Sequence, residues 1–320
     1  MSEWFTRWFG KEYLDLYPHR DEREARSVVR LIRNMISPDD AGRALDLACG
    51  SGRHTRALCK HIWTVGLDLS MELLEVASAE APEVPYVRAD MRVLPFAGAS
   101  FDLVVNLFTS FGYFSSDEEN RVVLSEVNRV LRRGGVFVLD YLNSDQVRAT
   151  LVPHDTHRVG ERIVTQDRRI TADGLYVEKE ISTTSSQRRY LERVRLFEPE
   201  ELRCLLHDAG FVIEHELGEY SGAPLSAESS RAIFFAHKSG FAQRPGKSAG
   251  PHWREARLRA GCRNGTARDC VIPSHGAARH SVSPTTSRIV PGSTICFRPS
   301  IRPAPRPIAC VPRRNRMGWW

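Results

Sequence analysis

Three acids stand where apolar, strand-like runs end: Asp46 in Ala44-Leu-Asp-Leu-Ala-Cys-Gly-Ser-Gly52, Asp68 in Gly66-Leu-Asp-Leu-Ser70, and Asp90 in Arg88-Ala-Asp-Met-Arg92. In an open α/β sheet an acid at a strand's carboxyl end can accept hydrogen bonds from the hydroxyls of a nucleoside. Gly50 and Gly52 follow the first run and precede a helix from about Arg53, so backbone N–H groups gather where a ligand can approach closely. A glycine pair after a strand is also an ordinary tight turn, and an Asp can simply cap a helix. Ser70 is better placed for that cap, which leaves Asp68 for a ribose. Thr55 occupies the position where a dinucleotide fingerprint requires Gly or Ala. Asp46 would repel a pyrophosphate and suit a cationic amino group, so the pattern favours a zwitterionic, phosphate-free ligand over a nicotinamide dinucleotide.

These residues need a parallel sheet to hold them. Apolar, nearly continuous runs predict strands at 43–48, 64–69, 86–90, 101–108 and 135–142, alternating with helices, as a sheet covered on both faces requires. Before them, Ala25, Val28, Val29, Ile32, Met35 and Ile36 follow helical spacing, which predicts a helix over 21–37 with a capping box from Asp21 and Glu24. Ser116-Asp-Glu-Glu119 is a second capping box, opening a helix that Gly134-Gly135 is expected to stop. After Leu142, three alternating runs at 162–170, 175–183 and 189–197, with turns at 172–174 and 185–187, predict an antiparallel insertion. A helix over 199–210 and strands over 212–220 and 231–238 complete the pattern. His154 and His157 fall in a predicted loop after the fifth strand.

The 320 residues carry a net charge of +6, but the charge is unevenly placed. Residues 241–320 hold 15 Lys and Arg against two acids, so the remainder is mildly acidic. That last segment also holds 10 of the 18 prolines and sustains neither helical nor strand periodicity, which predicts a disordered Arg/Pro-rich tail over 240–320. Seven cysteines without paired spacing argue against a disulfide framework and a zinc cluster, and fit a reducing cytoplasm. Cys49 and Cys59 read as small buried apolar groups rather than reactive thiols. No run is long enough to cross a bilayer, and no metal site is expected.

The segment 44–54 resembles motif I of class I S-adenosylmethionine-dependent methyltransferases; 66–70 resembles that family's ribose motif, and 88–96 its adenine motif. The stretch Glu126–Asp140 is similar to a later signature of the family, and the resemblance spans about residues 10–238. It implies a Rossmann-like α/β fold: a seven-stranded mixed sheet of order 3-2-1-4-5-7-6 with helices on both faces, plus an antiparallel β insertion after the fifth strand. It also implies an N-terminal helical cap over the cofactor site (1–40) and a methyltransferase domain (41–239) whose insertion lies at about 155–197. S-adenosyl-L-methionine is the implied cofactor. Gly50, Ser51, Gly52 and Ala48 would hold its methionine part, Asp46 would face its ammonium group, and Asp68 with Leu69 would take the ribose. Asp90 would accept from the adenine amino group while Met91 packs on the ring, and Asn106 with Leu107 would close the site. Ala48 departs from the glycine common in the family.

Tyr13-Leu-Asp-Leu-Tyr-Pro-His-Arg-Asp21 and Asn106-Leu-Phe-Thr-Ser-Phe-Gly-Tyr-Phe114 resemble bacterial small-molecule members, including amino-sugar N-methyltransferases. By that resemblance Tyr17 and Tyr113 act at the methyl group, Arg20 contributes to the cofactor site, and Phe111 and Tyr141 face the acceptor; Phe108, Phe111 and Phe114 could instead be plain core. The implied reaction is methyl transfer to a nitrogen or oxygen of a small molecule. It is an in-line displacement that mainly needs alignment and exclusion of water. His19, His154 and His157 are candidate bases, each also readable as a surface histidine. The chain lacks an Asp/Asn-Pro-Pro-aromatic stretch after the fourth strand and a cysteine nucleophile beside the site, which argues against nucleic-acid methylation. Methylation of RNA or protein with the basic tail as an anchor, a non-catalytic binding module and an NAD-dependent oxidoreductase remain as alternatives. The oligomeric state is not legible.

Overall fold

The computed structural model describes residues 3–17, 22–36, 42–184 and 186–240. The expected tail, Arg20, His19 and the proposed cap Asp21 lie outside them. The N-terminal part forms helices α1 (Phe5–Trp8), α2 (Lys11–Leu16) and α3 (Glu22–Met35). An alternating series follows: β1 (Arg43–Leu47), α4 (Arg53–Leu58), β2 (Trp63–Asp68), α5 (Met71–Glu80), β3 (Tyr86–Arg88), β4 (Phe101–Asn106), α6 (Asp117–Val130) and β5 (Leu131–Leu142). Then come α7 (Ser144–Thr150) and four strands, β6 (His154–Val159), β7 (Arg162–Ile170), β8 (Tyr176–Thr183) and β9 (Ser186–Arg195). The described fold closes with α8 (Pro199–Asp208), β10 (Phe211–Leu217) and β11 (Arg231–Lys238).

The main sheet has seven strands in the order β10-β11-β5-β4-β1-β2-β3, which is the expected 3-2-1-4-5-7-6 counted within this sheet. Strands β1 to β5 pair in parallel, and β11 lies antiparallel between β5 and β10. Parallel pairing sends the ends of β1, β2, β3 and β4 to one edge, so the three acids and the loop after Asn106 meet there.

Side chains alternate across the sheet with period two. Leu103, Val105, Val136, Val138, Ile233 and Phe235 pack with α3 and α4 on one face. Val104, Phe137, Leu139, Tyr141 and Phe234 pack with α6 and α8 on the other. Ser116 caps α6, its hydroxyl accepting from the Glu119 N–H at 3.3 Å and donating to the Glu119 carboxylate at 3.0 Å, so the cap half of the expected box forms.

Two expectations need correction. Helix α6 stops at Val130 rather than at Gly134-Gly135, because Leu131 already pairs with Phe101 in the sheet. The next register pair joins Leu103 to Val136, so Arg132–Gly135 form a bulge, with Gly134 at φ 70° supplying its left-handed residue. The segment after the fifth strand is not wholly loop: His154–Val159 pairs antiparallel with β7 and makes the insertion a four-stranded sheet, β6-β7-β8-β9. Its sequence is polar on both faces because it is an edge strand, which removes the apolar signal that marks an interior one.

A buried ion pair joins the last strands to the site. Arg231 Nε lies 2.8 Å from Asp140 Oδ1, with the two side chains 6% and 0% exposed. Asp140 Oδ2 accepts from the Phe108 N–H at 2.9 Å and from the Tyr220 hydroxyl at 2.7 Å. The Asp140 carbonyl accepts from the Thr109 N–H at 3.0 Å, and Arg231 Nη2 donates to the Thr109 hydroxyl at 3.1 Å. Phe108 and Thr109 have φ of 68° and 58°, a left-handed conformation that costs about 1–2 kcal/mol per residue and persists only if the surroundings impose it. Replacing Arg231 by Met leaves Asp140 as a buried unpaired charge, so the folded state should lose about 3–5 kcal/mol. Urea denaturation measures this, and an unchanged midpoint would refute the role given to the pair.

Candidate active site

The turn after β1 is built from left-handed residues: Ala48 at φ 61°, Gly50 at 57° and Gly52 at 78°. Glycine takes this conformation without a Cβ clash, and Ala48 is strained in it. The Asp68 carboxylate braces the turn. Oδ2 accepts from the Gly50 N–H at 2.8 Å and Oδ1 from the Ser70 N–H at 2.8 Å. Burial raises the Asp68 pKa, and the hydrogen bonds from Ser70, Gly50 and Leu69 work against that rise. Ser70 caps α5, its hydroxyl accepting from the Leu73 N–H at 3.3 Å. Beneath the turn, Asp46 accepts from the Thr55 hydroxyl at 2.6 Å, and burial pushes its pKa up to about 7. Burial also raises the Cys49 thiol, which removes the reactive-thiol reading.

At the end of β3, Asp90 is held by Arg92, whose Nη2 lies 2.6 Å from Oδ2. Burial raises the Asp90 carboxyl, but the hydrogen bonds and charge of Arg92 outweigh it, and the net shift is downward. The same guanidinium reaches Glu3 at 2.7 Å and Glu119 at 2.6 Å, so the N-terminal segment is tied to this end of the site. On the opposite side His54 and Phe108 meet edge to face at 6.0 Å, and the Arg53 guanidinium lies 3.9 Å from the Phe108 ring centre. Burial, with the charges of Arg53, Arg231 and Arg56, pulls the His54 pKa well below its ordinary value and keeps the imidazole neutral.

A cavity of about 640 Å³ joins these parts. Among the expected site residues, Ala48, Gly50, Ser51, Asp68, Leu69, Asp90, Met91, Leu107, Tyr17 and Tyr113 line it. Asp46, Gly52 and Asn106 stand behind the lining: Gly52 abuts Tyr86, and Asn106 donates to the Leu47 carbonyl at 3.0 Å. Phe111 and Tyr141 are not among the residues that line the cavity. Both lie in the core on the α6 side, Phe111 stacked on Phe197 at 5.8 Å and Tyr141 with its hydroxyl bonded to the Arg195 carbonyl, because their places in the sheet and loop turn them away from the cavity. Phe108 and Phe114 do line it. His154 and His157 sit on β6 beside Asp167 and Asp155, away from the cavity.

The sequence reading missed His54, Lys179, Tyr190 and Glu192, all of which line the cavity. His54 was visible as the residue one place into the helix after the glycine turn. Lys179 and Glu192 carried only the alternation of a predicted strand, which does not say which face turns inward.

S-adenosylmethionine combines a nucleoside with a zwitterionic amino acid, and these residues fit it. Acids end three adjacent strands, the lining offers the backbone of the glycine turn, and two buried polar atoms, Nε2 of the lining residue His54 and Oδ1 of Asn106 behind the lining, have no partner among the described residues. A buried unpartnered polar atom costs about 1–3 kcal/mol, which a bound polar ligand or water recovers. Residues 44–135 match the methyltransferase domain family. The chain is 29% identical over 210 residues to a dTDP-4-amino-2,3,4,6-tetradeoxy-D-glucose N,N-dimethyltransferase of Saccharopolyspora spinosa, covering 63% of this chain and 83% of that one. It is 33% identical over 118 residues, 37% of this chain and 48% of the relative, to a dTDP-3-amino-3,4,6-trideoxy-alpha-D-glucopyranose N,N-dimethyltransferase of Streptomyces venezuelae. A solved sugar N-methyltransferase from Streptoalloteichus superposes with a TM-score of 0.56 at 26% identity, over 72% of this chain and 94% of the other. These matches support a class I S-adenosylmethionine-dependent methyltransferase of the small-molecule type. It is an enzyme that moves a methyl group from that cofactor to a small acceptor. Among the described residues no cluster of His, Cys, Asp and Glu could hold a metal, and no helix is long and apolar enough to cross a membrane.

The raised Asp46 pKa has a consequence for stability. Above its ordinary 3.8 the carboxyl ionises in the unfolded chain but stays protonated in the native one up to about 7, so rising pH favours unfolding across that window. Asp46→Asn should remove a slope of about 1.4 kcal/mol per pH unit there and leave stability near pH 3 unchanged. Denaturant midpoints of both proteins from pH 3 to 8 check it; parallel profiles would refute a buried proton on Asp46.

Proposed function

We propose that the acceptor is the amine nitrogen of an amino sugar, presented as a nucleotide conjugate, in a cytoplasmic setting. The observation that carries this reading is the second wall of the cavity. It is made by α1, α2 and the insertion sheet, with the rings of Phe9, Tyr13, Tyr17, Tyr113 and Tyr190 and the charged groups Lys179 and Glu192. Such a lid suits a small polar ring better than a duplex. The similarity to two amino-sugar N,N-dimethyltransferases supports nitrogen over oxygen. The thiols of Cys49, Cys59 and Cys204 are free, as suits a reducing compartment.

The cofactor supplies a methyl group on a sulfonium, with a neutral thioether as the leaving group. The residues of this chain then have four tasks. Asp68, anchored by two backbone N–H groups, turns its remaining lone pairs to the ribose hydroxyls. Asp90 accepts from the adenine amino group while Met91 packs on the ring, and Arg92 keeps that carboxyl ionised. The backbone of Ala48, Gly50 and Ser51 with Leu107 holds the methionine portion; Asp46 and Asn106 reach it only through the lining. Tyr17 and Tyr113 align the amine, which must arrive without its extra proton because only a nitrogen lone pair can attack. Tyr17 is itself fixed: its hydroxyl accepts from Gln166 Nε2 at 3.2 Å.

Asp68→Asn should weaken S-adenosylhomocysteine binding roughly 10–100-fold, since a charge-assisted hydrogen bond is worth about 1.5–3 kcal/mol. Calorimetry reads this, with NAD as a control that should not bind; unchanged affinity would refute the ribose role. Methyl transfer to dTDP-linked 3-amino and 4-amino sugars, against their hydroxyl counterparts, tests the acceptor. Turnover only on the hydroxyl compounds overturns the amine reading. Tyr113→Phe should lower turnover on the amine several-fold more than it lowers cofactor affinity, and equal losses in both would count against an acceptor-side role.

A further inference from the structure

The antiparallel register of β8 and β9 sets Lys179 directly opposite Glu192, and β7 adds Arg168 opposite Lys179. These three lie on one face of the insertion sheet, and all are buried. Lys179 Nζ is 2.5 Å from Glu192 Oε2, with the side chains only 2% and 7% exposed. Glu192 Oε1 also accepts from Trp8 Nε1 at 2.6 Å, which fixes the carboxylate from the N-terminal side. Lys179 lies 5.2 Å from the centre of the Tyr17 ring. A buried ion pair is weak evidence for stability, since replacing both charges by neutral groups of like volume is often harmless. Both of its residues line the cavity, as do Gly50 and Ser51 of the glycine turn.

We infer that the Lys179–Glu192 pair docks the acceptor and selects an amine flanked by a hydroxyl. An ammonium carries three donors and a carboxylate about four acceptor positions, so a pair that lines a cavity can bond to a ligand as well as to its neighbours. An amine N–H is received by Glu192, while the oxygen of a neighbouring hydroxyl is received by Lys179. The pair therefore reads two adjacent heteroatoms of opposite hydrogen-bonding sense. Trp8 and Tyr17 hold the pair in place, so the donor and acceptor are set before the ligand arrives. The two relatives differ in this respect by their names. The trideoxy 3-amino sugar keeps a hydroxyl beside its amine, and the tetradeoxy 4-amino sugar has none. The chain should prefer the first. This inference rests on the amino-sugar reading above.

The test uses the full chain and both dTDP-linked sugars. The wild type should show kcat/KM at least roughly 10-fold higher for the 3-amino trideoxy sugar, the contribution of one charge-assisted hydrogen bond. The double variant Lys179→Met with Glu192→Gln removes both charges and leaves an amide oxygen for Trp8. It should melt near the wild type and bind S-adenosylhomocysteine within about 2-fold, while KM for the 3-amino sugar rises roughly 10–100-fold and the preference between the sugars disappears. The exchanged variant Lys179→Glu with Glu192→Lys keeps an ion pair and should not restore KM. A double variant that folds and retains the wild-type KM and preference overturns the inference while the amino-sugar reading stands, as does full rescue by the exchanged variant. Failure of the wild type to methylate either amine overturns both, and intact S-adenosylhomocysteine binding then shows that the cofactor assignment survives.

Discussion

The contact between Asp140 and Arg231 governs how the ligand edge of the sheet is shaped. It sits where β5 and β11 pair, inside a region that excludes water, so its charges are tolerable only because each is multiply bonded. Asp140 uses one oxygen for Arg231 and the other for Phe108 and Tyr220, and its carbonyl holds Thr109. Two non-glycine residues are thereby kept left-handed directly after β4. That turn points the Phe108 ring at His54 and under Arg53. Arg53 is in turn 2.8 Å from Glu24 on α3, so one polar chain runs from the last strand through the site to the N-terminal helix.

A second constraint works at the other end of the cavity. The Asp68 carboxylate spans the glycine turn and the start of α5, and Arg92 gathers Asp90, Glu3 and Glu119. The Lys11 N–H adds a bond to Glu72 at 2.8 Å, and Trp4 Nε1 one to the Tyr113 carbonyl at 3.3 Å. The N-terminal helices are short and could not persist alone. They are held by these polar ties and by the packing of Trp8, Leu16 and Tyr17 against Val164 and Ile181 of the insertion. The lid is thus a joint product of the first residues of the chain and of a sheet more than 140 residues later.

Charge placement divides the cavity by task. The acids at the strand ends are braced by backbone groups, by the Thr55 hydroxyl or by Arg92 and do not compete for the same partner. The lid carries rings and one buried ion pair, a composition suited to a polar ring that must be oriented while water is kept out. His54 lines the cavity as a neutral polar group, uncharged because burial and three arginines oppose its protonation.

The sequence alone determined the parallel strands, their order by resemblance, the glycine turn and the acids at 46, 68 and 90, because each is a local pattern: an apolar run, a residue that tolerates positive φ, a polar residue at a strand end. It also marked Ser116 as a cap, since the box is written within four residues. Tertiary structure alone decided where Phe111 and Tyr141 point, since their aromatic character fits a core as well as a site. It likewise decided the strand at 154–159, whose polar residues lack the apolar alternation that marks an interior strand, and the bulge at Gly134, whose pairing partner lies on another strand. Lys179 and Glu192 became neighbours only through the register of β8 and β9. Alternation along a strand says that successive side chains diverge, but which face becomes the wall of a cavity depends on what else the chain packs against it.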